Sequence, residues 1–220
     1  NLSPELGITF SAAGGVRAYS EPAQMGTLYL PNRSLLTNSL SRFRDVRLVI
    51  PGFVSWTVPG LTVTGGGVSF NDGAFDLTVN GDLVCSNGGR LYLGGRAVQG
   101  GWSLGHPGAG TNPLVRVTGR VMLDDGSLTV GGWRQTPKTV LEIDGDLVLT
   151  NSGSLYVFAG ETNAAMDQGA WVRVAGETRI GHTNSWINPY SNPTNTGGSV
   201  LFELGDVAIT AGGFNADRKG

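Results

Sequence analysis

Lysine is almost missing from this chain: Lys138 and Lys219 are the only two in 220 residues, beside thirteen arginines. There is one cysteine, Cys85, which excludes an internal disulfide framework. Two histidines, His106 and His182, and that single thiol give no zinc-ligand spacing. A Walker loop and the calcium-binding nonapeptide pattern are also missing. Charged residues make up 15% of the chain, below the usual quarter. The net charge of −2 excludes a nucleic-acid binder working by bulk electrostatics. No run of 18 apolar residues occurs, so no membrane-spanning helix is expected.

What is present is glycine, 36 residues or about twice average usage. Valine (21) and threonine (19) are plentiful, and both favour strands. A hydrophobic fraction of 40% is too high for a disordered chain. Together these point to an all-β globular or solenoid protein.

Internal repeats decide between the two. Leu77–Cys85, Val115–Leu123, Leu141–Leu149 and Val172–Ile180 align on a central glycine, and Phe202–Ile209 joins them if one residue is deleted. The glycines are 81, 119, 145, 176 and 205, spaced 38, 26, 31 and 29 apart. Three units continue through Asn87-Gly-Gly, Asp125-Gly or Ser152-Gly into a second short strand. Alternation within each strand puts one parity inward: Leu77, Val79, Leu83, Cys85; Val115, Val117, Val121, Leu123; Leu141, Ile143, Leu147, Leu149. Val172, Val174, Thr178, Ile180 and then Phe202, Leu204, Val207, Ile209 complete the set. One unit cannot bury such a face alone, but stacked units can. The outward positions Arg116, Glu142, Arg173 and Glu203 alternate in sign, so adjacent coils pair opposite charges. The expected fold is all-β: a single right-handed parallel β-helix with irregular loops and little or no helix. About seven or eight coils, at the strand spacing of ~4.8 Å, span on the order of 35 Å.

The expected organisation is one domain over residues 1–220, with irregular N-terminal coils or a cap over 1–60 and regular repeats over 61–217. Ser34–Phe43 reads as irregular coil, with a short helix capped by Ser34 as the alternative. The chain opens at Asn1 with no initiator Met and closes on Arg218-Lys219-Gly220. It reads as a mature or excised segment of something longer.

The run of strand, Gly-Asp, strand, Asn-Gly-Gly, Leu-Tyr-Val and glycine-rich spacer resembles the repeats of large secreted bacterial β-solenoid proteins. It is similar to autotransporter-passenger and adhesin-type repeats over roughly residues 75–217. The resemblance implies an extracellular or cell-surface structural or adhesive protein, part of a surface or fibre assembly, with no catalytic residues and no cofactor. The C-terminal unit Val200–Ile209 keeps the repeat pattern, and the tail Gly212–Gly220 is short, polar and too poor in apolar residues to close a coil, so a second copy or the continuation of a parent chain is the expected partner at the C-terminal coil, with polysaccharide as a candidate ligand.

The alternative is a carbohydrate-active enzyme, a polysaccharide lyase or hydrolase, since such hydrolases share the β-helix. They carry a paired Asp motif, a Gly-His-Gly and an Arg-x-Lys. Here Asp124-Asp125, Gly181-His182 and Arg218-Lys219 occur in that order. Asp124-Asp125, however, sits where other repeats carry Ser86-Asn87 and Thr150-Asn151, which is turn chemistry. His182 is followed by Thr, and Arg218-Lys219 lacks the spacer. Asp82, Asp146, Glu177 and Asp206 follow the central glycines, with Arg120 interrupting them; they read as solvated bend residues before they read as a cation site. No metal site is expected. Cys85 aligns with inward leucines and reads as a small hydrophobe. A third reading is a carbohydrate-binding module. Its candidate residues are Trp102 and His106 in the insert 96–112, and Trp186 and Tyr190 in the insert 183–198. Inserts on one side of a solenoid often form its binding surface.

Overall fold

The computed structural model describes residues 7–13, 25–70, 75–93, 114–131, 138–160, 162, 168–191 and 198–217. Every strand pairing among them is parallel, which is the geometry the repeats require. The chain winds as a parallel β-helix with three faces. The first is a six-stranded sheet running from Ser55–Val58 through Asp76–Val79, Leu114–Val117, Thr139–Ile143 and Gln168–Val174 to Ser199–Leu204. The second begins at Leu61–Thr64 and continues through Leu83–Ser86, Val121–Asp124 and Leu147–Thr150. The third stacks Gly26–Tyr29, Val46–Val49, Gly67–Phe70, Arg90–Leu93, Ser127–Val130 and Ser154–Phe158. In the last two coils one strand crosses both remaining faces. Thr178–Tyr190 pairs first with Leu147–Leu149 and then with Ser154–Phe158, and Val207–Phe214 follows it. The third face therefore has eight levels.

The inward columns form the core. Leu77, Val79, Leu83, Cys85, Val115, Val117, Val121, Leu123, Leu141, Leu147, Leu149, Val172 and Ile180 are fully buried, and Ile143 and Val174 nearly so. Adjacent members are direct register partners, for example Leu123 with both Cys85 and Leu149. The outward charge column is equally regular. Arg116 pairs with Glu142, Glu142 with Arg173, and Arg173 with Glu203. The Arg116 Nε lies 3.4 Å from the Glu142 Oε2.

The central glycines stack on one another at the corner between the first and second faces. Gly119 N–H donates to Gly81 O, Gly145 N–H to Gly119 O and Gly176 N–H to Gly145 O, each at 3.0 Å. A methyl at Gly145 would lie 2.5 Å from Gly119 O, so close approach of backbones requires glycine there. The next corner depends on the left-handed backbone region instead: Asp45, Asn87, Asp125 and Asn151 have φ of 51°, 51°, 51° and 47°. Asn and Asp tolerate that region better than other side chains.

Residues 34–42 are irregular, as the first of the two alternatives held, with an isolated bridge between Ser39 and Thr62. Leu40 and Phe43 nevertheless reach the core. Two expectations need correction. Residues 183–190 are not an insert: they complete the long strand and form the third face of their coil. The C-terminal tail is likewise not wholly outside the coil, because Gly213 and Phe214 pair with Trp186 and Ile187. Among the described residues no helix is long and apolar enough to cross a membrane.

Candidate functional site

Alternation along the third face aims Ser154, Tyr156 and Phe158 outward in one coil and Trp186, Asn188 and Tyr190 outward in the next. Ser154 is the register partner of Trp186, Tyr156 of Asn188, and Phe158 of Tyr190. The Phe158 and Tyr190 rings stack with centroids 4.4 Å apart and planes 6° apart. Tyr156 lies 6.4 Å from Tyr190. Phe158 and Asn188 are buried in this arrangement, while Trp186, Tyr156 and Tyr190 stay part-exposed. Burial raises the Tyr190 phenol above its ordinary value, and the nearby Tyr156 adds to this. The result is an uncharged aromatic patch with polar neighbours, chemistry able to stack on a sugar ring and hydrogen-bond its rim. Trp186 and Tyr190, singled out from sequence, thus share one outward surface. Tyr156 joins them, a residue that the alternation of Ser154–Phe158 could have marked as outward; Asn188 is buried, its Nδ2 donating to Trp186 O at 3.2 Å. Trp102 and His106 lie outside the described residues.

The acidic residues do a different job. Asp82 Oδ1 accepts the Arg120 N–H of the following coil at 3.0 Å, and its Oδ2 meets Arg120 Nε at 2.9 Å. Asp146 Oδ1 accepts the Glu177 N–H at 2.9 Å. Asp76 Oδ1 accepts the Leu114 N–H at 3.2 Å, and Asp45 Oδ1 the Gly67 N–H at 2.9 Å. Asp45 Oδ1 also accepts from Arg90 Nη2 at 2.9 Å. Asp124 Oδ1 accepts from Asn151 Nδ2 at 2.6 Å and from Thr150 Oγ1 at 3.1 Å. Each of these five aspartates ties its coil to a later one. Glu177 pairs with Arg179.

Among the described residues no three His, Cys, Asp or Glu side chains are grouped to hold a metal ion. His182 Nδ1 accepts the backbone N–H groups of Ser152 and Asn184, both at 3.2 Å. Asp125 occupies the left-handed corner, and Arg218-Lys219 lies outside the described residues. Cys85 is fully buried, and that burial pushes its thiol up to about 12. A shallow depression of about 470 Å³ on the second face is lined by Asn38, Pro59, Gly60, Leu61, Thr62, Asp82 and Val84. Its one acid, Asp82, is the one paired with Arg120. Comparison with protein-family models, with curated proteins and with solved structures finds no match to this chain.

Proposed function

We propose that this chain is a noncatalytic structural β-solenoid, a segment of an exported surface or fibre assembly. The observation that carries the reading is the use of aspartate. Asp45, Asp76, Asp82, Asp124 and Asp146 all accept hydrogen bonds from a later coil, so these carboxylates serve the stack. Inverting glycoside hydrolysis needs two carboxyls flanking a water, about 6.5–9.5 Å apart. The best sequence candidate, Asp124-Asp125, has one member tied to Asn151 and the other forming a corner. The exported setting rests on the likeness of the repeats to secreted solenoids. Incubation with a panel of pectic and uronic polysaccharides is expected to give no turnover. Turnover that Asp125→Asn abolishes would reverse the reading, and recovery of the chain from the cytosol of its source cells would remove the surface setting.

A second reading, adhesion through carbohydrate, is favoured by the outward patch of Tyr156, Trp186 and Tyr190. Retention of the chain in affinity gels containing a polysaccharide, lost in Trp186→Ala with folding intact, would support it. Equal mobility in every gel would end it.

A further inference from the structure

One outward column of the third face alternates small and large residues. Ser69, Tyr92, Thr129, Tyr156 and Asn188 are successive register partners over five coils. Ser69, Thr129 and Asn188 are buried although they face outward, while Tyr92 and Tyr156 stay part-exposed. The two tyrosines thus stand above the face, two coils apart, with a threonine sunk between them. At the parallel strand spacing of about 4.8 Å, two coils measure ~10 Å. Aromatic rings also reach along the axis. A methyl on Gly67, one coil before Tyr92, would lie 3.2 Å from the Tyr92 Cε2, and one on Gly213, one coil after Trp186, would lie 3.8 Å from the Trp186 Cζ3. Charge sets this face apart from the first. Arg90, beside Tyr92, is held by Asp45 at 2.9 Å. In the next three coils the described outward strand positions, Ser127 to Tyr190, carry hydroxyls, one amide and aromatic rings but no charge, whereas the first face alternates arginine and glutamate.

We infer that this column is a binding strip for a neutral, extended β-1,4-linked glycan lying parallel to the solenoid axis. Sugar rings stack on Tyr92 and Tyr156, and the chain continues towards Trp186. This rests on the carbohydrate reading above and names the ligand class. Two observations select that class. The first is the period: successive rings of such a glycan are turned over, so every second sugar presents the same face, and its two-sugar repeat is about as long as the two-coil step of ~10 Å. Helical α-linked or β-1,3-linked chains lack that flat repeat. The second is charge complementarity: an uncharged face of rings and hydroxyls offers stacking and neutral hydrogen bonds, and no counter-charge for an acidic sugar. Ser127 and Ser154, part-exposed beside the column, supply hydroxyls to the sugar rims.

Affinity gels containing hydroxyethyl cellulose or glycol chitin should retain the chain, and gels containing laminarin or dextran should not. In titrations with cello- or chito-oligosaccharides, affinity should step up from the disaccharide, which covers one tyrosine, to the tetrasaccharide, which spans both. Tyr92→Ala should abolish that step, and Tyr92→Ala and Tyr156→Ala should each weaken hexasaccharide binding by ~10-fold, the worth of a stacking contact. Tyr92→Phe and Tyr156→Phe keep the ring and should keep most of the affinity. Unchanged circular dichroism and melting of these variants exclude misfolding as the cause. Retention by a β-1,4 gel that Tyr92→Ala leaves unaltered would confine binding to the patch around Trp186 and overturn the strip, as would retention by laminarin or dextran alone; the carbohydrate reading survives both results. No retention in any gel ends the two together.

Discussion

Leu147 and Leu149 stand in the same inward columns as Val207 and Ile209, two coils earlier. The first pair is fully buried; the second is 49% and 43% exposed. The residue chemistry hardly differs between the two pairs, and the strand register is unbroken from one to the other. The difference is the number of neighbours among the described residues: an interior coil has one on each side, whereas the strands of the last coil pair on one side. In a solenoid a side chain's energetic worth is thus set by its level as much as by its identity, as nearest-neighbour stability implies.

The largest expected effect follows directly. Leu149→Ala should cost roughly 2–5 kcal/mol, because the side chain leaves a cavity between two fixed coils. Ile209→Ala should cost roughly half as much, since about 25 cal/mol per Å² applies only to area that is actually buried and Ile209 is 43% exposed. Urea unfolding of both variants measures the ratio. Equal losses would mean that the last coil is covered in solution.

Cys85 probes the interior at its driest. A bulky thiol reagent should leave it unmodified in the native chain and label it after unfolding. Its thiol ionises at an ordinary 9.0 when unfolded and at about 12 when folded. Above pH 9 the unfolded chain therefore binds fewer protons, and stability falls as pH rises from about 9 towards 12. The slope from this group is at most ~1.4 kcal/mol per pH unit. Cys85→Ala should be mildly destabilising at pH 7 and lose that deficit in the alkaline range. Rapid labelling of the native protein would place Cys85 outside the core.

The columns that make these contrasts were legible in the sequence, and the reason is local. Period-2 alternation on either side of Gly81, Gly119, Gly145 and Gly176 fixes parity within each strand, and parity alone decides inside from outside. The opposite-charge column through Arg116, Glu142 and Arg173 follows from the same register. The long strand Thr178–Tyr190 was not legible. Its register shifts at Gly181 and again before Trp186, which breaks the alternation. Pro189, which lacks a ladder donor, also argues against a strand. The roles of Asp82 and Asp146 were hidden for another reason. Their acceptors meet N–H groups 38 and 31 residues away, a relation that exists only once coils stack. The outward patch shows both cases. Alternation along Ser154–Phe158 carried the signal for Tyr156, which was not drawn on, whereas the pairing of Tyr156 with Asn188 depended on the unrecognised strand.

Thr178 offers a stabilising test of the same columns. It is fully buried between Leu147 and Val207, and its hydroxyl has no hydrogen-bond partner among the described residues. An unpaired buried hydroxyl costs ~1–3 kcal/mol relative to an apolar group of the same shape. Thr178→Val should therefore raise stability by about 1 kcal/mol, read as a shift in the urea midpoint at constant slope. A loss would mean that the hydroxyl finds a partner in solution.

The smallest expected effect lies on the outside of the first face. Glu142 has an arginine neighbour on both sides, Arg116 and Arg173, while Glu203 in the last coil has Arg173 alone among the described residues. Glu142→Arg places three arginines in successive coils, and like charges directly opposite one another repel. Arg116 is half exposed, so water screens most of this interaction. The expected loss is ~0.2–1 kcal/mol, and about 1 M salt, with a Debye length near 3 Å, should remove most of it. Glu203→Arg should lose about half as much, because it exchanges one favourable neighbour where Glu142 exchanges two. Thermal melts of both variants at low and high salt separate the cases. If Glu142→Arg shows no salt dependence, the outward charges do not face each other. If Glu203→Arg loses as much as Glu142→Arg, Glu203 has a second cation beside it, and the last coil has a neighbour.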